Sequence, residues 1–260
     1  MKTKFYINGF SAYNGDVPLD QFAKYVEGRR LRRMESIAKN VLFCSYQALE
    51  QAQIPLDIFK NMGLSVAVGA GSLENTCKFM DSILDDGDEL SSPTAFAGSV
   101  HNSTGLALSM FLQITGPCIT TGQFESSFPA ALLNALVFLE KKMCHEVLVA
   151  VADDKNGVAA SYAPLYPDLF VHLLRNPTDS FERQAAAFVV ADRPFGQNPM
   201  ELTAVEFSRV SGNIDGNVPK KAYFAQQVVE RLHQHTAFSW KDTFAGTQFT
   251  LEAKPYVKPE

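Results

Sequence analysis

The stretch Gly116–Leu139, GPCITTGQFESSFPAALLNALVFL, decides the fold of this chain. Its β-branched run Ile119–Thr121 follows a Gly-Pro turn and predicts a buried strand over 117–122, and the Ala- and Leu-rich segment after it predicts a helix over 125–141. Glu125 lies at the sharp turn between the two elements. Unpaired N–H groups at a helix N-terminus favour an anion and lower the pKa of a nucleophile, so this turn is a favourable place for catalysis.

Strand and helix patterns alternate on both sides of this stretch. The hydrophobic spacing before Pro194 predicts the strands 5–10, 63–69, 146–151 and 185–191 and the helices 19–52, 72–84 and 101–113. This alternation predicts an α/β layered fold with a mixed sheet and helices on both faces. The acidic segment 85–98 is predicted to be a loop that meets a partner or substrate, and segment 155–183 has no clear periodicity. After Pro194 the pattern predicts only a strand 201–209, a helix 221–235 and a short strand 246–253.

Composition excludes several classes of protein. With 260 residues and an apolar fraction of 46%, the chain can bury a sizeable core. A net charge of −5 argues against a nucleic-acid surface, and the basic cluster Arg29–Arg33 is typical of a solvated helix face. No apolar run reaches the length of a membrane span, and Met1–Lys4 leads straight into a strand instead of a signal-peptide core. We therefore expect a soluble, cytoplasmic protein with no membrane span and no nucleic-acid partner.

The cysteines and glycines point to neither a metal nor a cofactor. The four cysteines, none of them in a C-x-x-C pair, favour reduced thiols over disulfides or zinc ligands; they are Cys44, Cys77, Cys118 and Cys144. Cys118 stands at the start of the strand and not at the turn, which favours a packing role. The GAGSLE sequence at 69–74 lacks the third glycine of a dinucleotide-binding turn.

Several motifs, taken in chain order, resemble those of the β-ketoacyl synthases, the condensing enzymes of fatty-acid and polyketide synthesis. They are FYINGFSAYNG (5–15), RRLRRMESIAKNVLFCSYQALEQAQI (29–54), GLSVAVGAGSLENT (63–76), SVHNSTGLALSMFLQITGP (99–117), the turn after Gly116-Pro117, EVLVAVADD (146–154) and QAAAFVVAD (184–192). The resemblance implies a thiolase-like fold whose first half, 1–194, is complete. The second half, 195–260, is truncated and packs on the first.

Two departures from the family pattern bear on catalysis. Glu125 stands where the family has its acyl-accepting cysteine, and the glycine-rich histidine loops of the second half are missing; His233 and His235 lie in the segment RLHQH without those glycines. Decarboxylative condensation needs a thiolate for the acyl chain and histidines for the enolate oxygen. An anhydride on Glu125 would be labile to water. The resemblance therefore implies a pseudoenzyme subunit with no catalytic residue.

Within the family, a chain of this kind resembles the chain-length factors, in particular short subunits of the aryl polyene type. Such a subunit pairs with an active ketosynthase that acts on acyl carrier protein substrates, and the strand before the turn pairs antiparallel across a two-fold interface. Helical geometry places Met110 and Phe111 about 100° apart, so only one of them is expected to face the acyl tunnel. The residues that the resemblance assigns to tunnel or interface are His101, Asn102, Leu106, Met110, Phe111, Cys118, Thr120, Gln123, Phe124 and Phe128.

Two other functions remain open at this point. A decarboxylase would use Glu125 on malonyl-ACP to generate a starter unit, although the missing histidines count against it. A homodimeric scaffold that binds carrier protein would need no chemistry at all. His101 and Asn102 are equally well explained as part of a site or as the start of a helix, where Asn102 or Ser103 would cap it.

Overall fold

The computed structural model describes residues 4–32, 34–55, 59–69, 71–123, 126–153, 183–209, 224–244 and 247–258. The strands in these ranges are β1 Phe5–Asn14, β2 Gly63–Val68, β3 Cys118–Thr121, β4 Glu146–Asp153, β5 Gln184–Ala191, β6 Met200–Arg209, β7 Phe238–Phe244 and β8 Thr247–Pro255. They form one sheet in the order β3-β2-β4-β5-β1-β6-β8-β7. β2 pairs parallel with both β3 and β4, and the other pairs are antiparallel. The predicted mixed α/β sheet is confirmed.

Helices lie on both faces of this sheet. They are α1 Gly28–Leu31, α2 Ser36–Gln51, α3 Leu73–Asp86, α4 Pro93–Ser99, α5 Ser103–Leu112, α6 Ser127–Glu140 and α7 Phe224–His233. α2 and α5 share one core with the sheet, whereas α6 and α7 pack on the opposite face. Alternate residues of β4 point to the two cores, so Leu148 and Ala150 belong to the first and Val147 and Val149 to the second.

Small residues allow α2 to lie very close to β1 and β5. β5 turns Ala185 and Ala187 toward α2. A Cβ atom on Gly9 would overlap the backbone oxygen of Ala48 and would lie 2.9 Å from the Cβ of Ala52. The helix therefore packs directly on the strand backbone, which only glycine permits at that position.

A buried asparagine joins β1 to the chain that follows β5. The register of β1 with β5 shifts between Ile7 and Gly9, and the side chain of Asn8 is buried there. Its Nδ2 donates to the backbone oxygen of Arg193 at 3.1 Å, and its Oδ1 accepts from the backbone N–H of Phe195 at 3.0 Å. Both ends of the buried amide are thus satisfied, as burial of a polar group requires.

The structure corrects the single helix predicted over 19–52. The chain instead forms a 3₁₀ turn at Leu19–Phe22, the short helix α1 and the long helix α2. Phe22 and Leu31 are fully buried. Their burial folds the segment over the core, so tertiary packing overrides the helical pattern.

The structure also corrects the predicted loop at 85–98. α3 continues to Asp86, and α4 begins at Pro93 because Ser92 accepts a hydrogen bond from the backbone N–H of Ala95 at 3.2 Å. β7 was not predicted, although Phe238 and Trp240 alternate toward the core. Most of segment 155–183 lies outside the described residues.

None of the helices described in these ranges is both long and apolar enough to cross a membrane. β6, β8 and β7 extend the sheet beyond β1, and β6 pairs with β1 only through residues 5–7 of that strand. The described part of the chain after Pro194 thus contributes an antiparallel extension of the sheet and the helix α7.

Replacing Gly9 by alanine tests the close packing of α2 on β1. Gly9→Ala should lower the free energy of unfolding by about 1–3 kcal/mol, the usual cost of overpacking. Gly28→Ala is the matched control, because no atom lies within 4 Å of the added Cβ, and it should be neutral or stabilise by about 0.5–1 kcal/mol. Urea unfolding measures both, and equal effects would contradict the packing.

Candidate functional site

The candidate site lies at the carboxyl ends of β2, β3 and β4. Because these three strands are parallel, their ends meet at one edge of the sheet. The backbone N–H of Gly69, just after β2, donates to Oδ1 of Asp153 at the end of β4 over 2.8 Å. The chain leaves the sheet here with glycines at 69, 71 and 122. This edge can therefore receive a side chain from outside the sheet.

His101 occupies that space. It lies between α4 and α5, and its ring rests against both Gly71 and Gly122: a Cβ on Gly122 would lie 2.7 Å from its Cδ2, and one on Gly71 would lie 3.2 Å from its Nε2. The imidazole is nevertheless exposed to solvent. His101 thus lies against the glycines that follow β2 and β3.

The turn between β3 and α6 is held by a buried serine. The backbone N–H of Gln123 donates to Oγ of Ser127 at 2.8 Å, and that hydroxyl donates to the backbone oxygen of Val68 at 3.1 Å. Ser126 stands at the N-cap of α6 without a side-chain cap bond to the helix. Phe124 and Glu125 lie outside the described residues. The predicted strand and helix are present on either side of them.

The other predicted tunnel or interface residues divide between two faces of the sheet. Leu106 and Met110 lie exposed on α5, at 59% and 66% of their maximal accessibility. Phe111 packs on the core beneath that helix, with the Arg30 guanidinium 5.2 Å from its ring centre. Phe128 is buried on the opposite face, stacked on Phe188 at 5.1 Å. Asn102 is exposed at the N-cap of α5 and makes no side-chain cap bond.

β3 is one outer edge of the described sheet, and it carries no charge. Cys118 and Ile119 are exposed, and Thr120 lies against Gly105 of α5. The other outer strand, β7, includes Lys241 and Asp242. Charged side chains are a usual means of keeping an edge strand from pairing with another chain. Of these two edge strands, only β7 carries such charged side chains.

Apolar side chains flank β3 on both sides. On one face these are the exposed Leu106 and Met110 of α5; on the other they are Leu133 and Val137 of α6, which are 41% and 46% accessible. Asn134 of α6 donates from Nδ2 to Oγ1 of Thr121 over 3.1 Å, which places this stretch of the helix beside the strand. Leu133 and Val137 were missed in the sequence. The sequence pattern that could have revealed them is a pair of apolar residues four positions apart on a helix whose other faces are also mostly apolar.

None of the four thiols is set up as a nucleophile. Burial raises the pKa of Cys44 to about 12, and partial desolvation of the thiol raises the pKa values of Cys77, Cys118 and Cys144. A catalytic thiol needs the opposite shift. The residues described also contain no group of three or more side chains placed to bind a metal ion.

A cavity of about 280 Å³ lies at the opposite end of the sheet. The carboxylate of Glu146, at the start of β4, accepts from the Arg193 guanidinium there at 2.5 Å. The cavity is lined by Ala52, Gln53, Ile54, Pro55, Glu146, Arg193, Phe195 and Gly196. The candidate site lies at the other end of β4, so this cavity is not part of it.

Comparison with known proteins identifies the fold. The sequence matches the family model for the beta-ketoacyl synthase N-terminal domain over residues 22–237. A structure of the ketosynthase ApeO in complex with its chain length factor ApeC, from Xenorhabdus doucetiae, has a TM-score of 0.65 at 15% identity, over 96% of this chain and 100% of that chain. No curated protein matches the sequence.

Two further structures show the same likeness. The ishigamide ketosynthase/chain length factor has a TM-score of 0.63 at 14% identity, over 79% of this chain and 67% of that chain. AntDE:AntF, a type II polyketide synthase acyl-carrier protein in complex with its ketosynthase, has a TM-score of 0.64 at 12% identity, over 81% and 70%. At these identities the likeness establishes a thiolase-like fold.

Alkylation of Cys118 tests whether the exposed edge strand β3 carries an activated thiol. Because its pKa is raised, its thiolate fraction at pH 7 is smaller than that of free cysteine, and iodoacetamide should label it more slowly than free cysteine at the same neutral pH. Mass spectrometry locates the label, and Cys118→Ser is the control that assigns it. Rapid labelling of Cys118 at pH 6 would contradict this assignment.

Proposed function

Since this chain belongs to the family of β-ketoacyl synthase N-terminal domains, we propose that it is a non-catalytic subunit of the chain-length-factor type. It pairs with an active β-ketoacyl-ACP synthase in the cytoplasm and shapes the tunnel that holds the growing acyl chain. The pathway is a polyketide or fatty-acid-type synthesis of the aryl polyene kind. The first half of this chain, 1–194, supplies the ketosynthase-like fold, and 195–260 is a shortened second half.

The uncharged edge of β3 carries this proposal. An exposed edge offers unpaired backbone N–H and C=O groups to a strand of another chain. Here the edge lies between the apolar pairs Leu106–Met110 and Leu133–Val137, all four of them exposed. Large exposed apolar patches mark interaction sites. A partner strand that pairs with β3 would cover both pairs and continue the sheet.

The chemistry of the chain supports a non-catalytic role. The turn segment Gly122–Ser126, GQFES, has no cysteine, and burial raises the pKa values of the cysteines elsewhere. A glutamate at position 125 is explained without a catalytic role. An anion near the start of a helix is stabilised by roughly 0.3–1 kcal/mol through the helix dipole. The thioester chemistry is therefore assigned to the partner.

The similar structures support the choice of partner. Two of them contain a ketosynthase with a chain length factor, and a third contains a ketosynthase with an acyl-carrier protein. We extend these assemblies to this chain as a heterodimer with a ketosynthase, which meets acyl carrier protein through that complex.

Reconstitution tests the function as a whole. The chain is co-expressed with the ketosynthase of the same gene cluster, and products on carrier protein are measured with and without it. A stable complex whose products differ in length from those of the ketosynthase alone is the expected result. A chain that stays monomeric beside the ketosynthase, or products of unchanged length, would overturn the proposal.

Placing a charge on the β3 edge tests the interface. Ile119→Lys should abolish the complex on size-exclusion chromatography, because a charge at an edge opposes strand pairing. Ile119 is partly exposed, so the variant should still fold, as circular dichroism will check. Ser239→Lys on β7, also exposed, is the matched control and should leave the complex intact. An Ile119→Lys complex of normal stability would rule out this edge.

Changing side-chain volume on α5 tests the role in chain length. Met110 is exposed and Phe111 packs on the core, so Met110→Ala should lengthen the products at nearly normal yield. Phe111→Ala should instead lower stability, by up to about 3 kcal/mol for a half-buried ring, and mainly reduce yield. If both variants form stable complexes and their product distributions stay unchanged, α5 does not set the length of the acyl product.

A further inference from the structure

The segment between β2 and α5 forms a projecting pair of helices, which we call the acidic arm, residues 73–99. It consists of α3, the 3₁₀ turn Asp88–Leu90 and α4. Phe79 and Phe96 hold the helices together at 5.2 Å between ring centres, and the backbone N–H of Ser92 donates to Oγ of Ser82 at 3.0 Å. The arm is thus folded mainly on itself.

Helix α3 is amphipathic, yet none of its described side chains is buried. Its apolar residues Cys77, Met80 and Leu84 recur at helical spacing and form one stripe. Leu84 is 76% accessible, and Leu90 in the following turn is 72% accessible. Helices of about this length are marginal in water without tertiary packing. The stripe is therefore a surface that another molecule would cover.

The arm carries a net charge equal to that of the whole protein. Residues 73–99 contain six carboxylates against one lysine, a net −5, and the rest of the chain sums to zero. Two of these carboxylates, Asp85 and Asp86, lie in the last turn of α3, where the helix dipole disfavours negative charge. These two carboxylates therefore do not stabilise their own helix. A partner that carries lysine and arginine around an apolar strip would match both features.

The arm is continuous with the β3 edge. α4 contacts α5, and the exposed Phe96, Val100 and Leu106 lead from one surface to the other. Of the fourteen large apolar residues exposed in the described ranges, ten lie between Met80 and Val137. One partner that docks on the β3 edge is therefore well placed to reach the arm.

From these observations we infer that the acidic arm is a second docking element, which binds a basic, apolar surface of the same ketosynthase subunit. The inference rests on the proposed heterodimer. A second copy of this chain is acidic as well, at −5, so its charge opposes the approach, whereas opposite charges favour and orient association. The arm thus selects a different chain as partner.

Charge reversal on the arm tests the inference. Asp85→Lys/Asp88→Lys should weaken binding of the purified ketosynthase by about tenfold at 0.15 M salt, and by less at 0.5 M salt, because exposed ion pairs are screened. Glu206→Lys/Glu230→Lys changes the net charge equally at exposed positions of β6 and α7, and it should shift the dissociation constant by less than about twofold. Hydrogen exchange should slow in peptides from 77–98 when the complex forms.

The outcomes separate this inference from the proposed function. If the unmodified chain does not bind the ketosynthase, the proposed function itself fails. If it binds, but the arm variant binds equally well and peptides 77–98 gain no protection, only the arm inference is overturned. Protection of the arm that grows with concentration in the chain alone would identify a second copy as the occupant and would also overturn it.

Discussion

The parallel pairing of β2 with β3 and β4 is the constraint on which the rest of the structure depends. Parallel strands require long crossover connections, and here these are the segment with α3, α4 and α5 before β3 and the helix α6 after it. α5 of the first crossover packs on one face of the sheet, and α6 packs on the other. The pairing brings His101, Ser127 and the glycines that follow β2 and β3 to one end of the sheet.

The same connectivity leaves β3 on the outside. Because α5 and α6 lie on opposite faces beside this strand, exposed apolar residues of the two helices lie on either side of its edge. At the far edge of the sheet, β7 carries the charged residues Lys241 and Asp242. The two edges of one sheet are therefore chemically different, and this difference points to association at β3.

The strand-turn-helix does not depend on a nucleophile for its shape. Ser127 bonds the turn to the end of β2, and His101 fills the space above Gly71 and Gly122. These contacts are made by Ser127, by His101 and by backbone groups. These contacts can hold β2, β3 and α6 together whether or not the turn carries a cysteine.

The sequence by itself determined the alternation of strands and helices, the turn after Gly116-Pro117 and the absence of a cysteine there, because these depend on local hydrophobic spacing and residue identity. Only the tertiary structure decided that the helix expected over 19–52 breaks so that Phe22 and Leu31 are buried, that 93–99 is helical, and that Leu133 and Val137 face outward. The physical reason is that spacing shows which side chains share a face of a helix or strand. It does not show what lies against that face: the core of the same chain, solvent, or another chain.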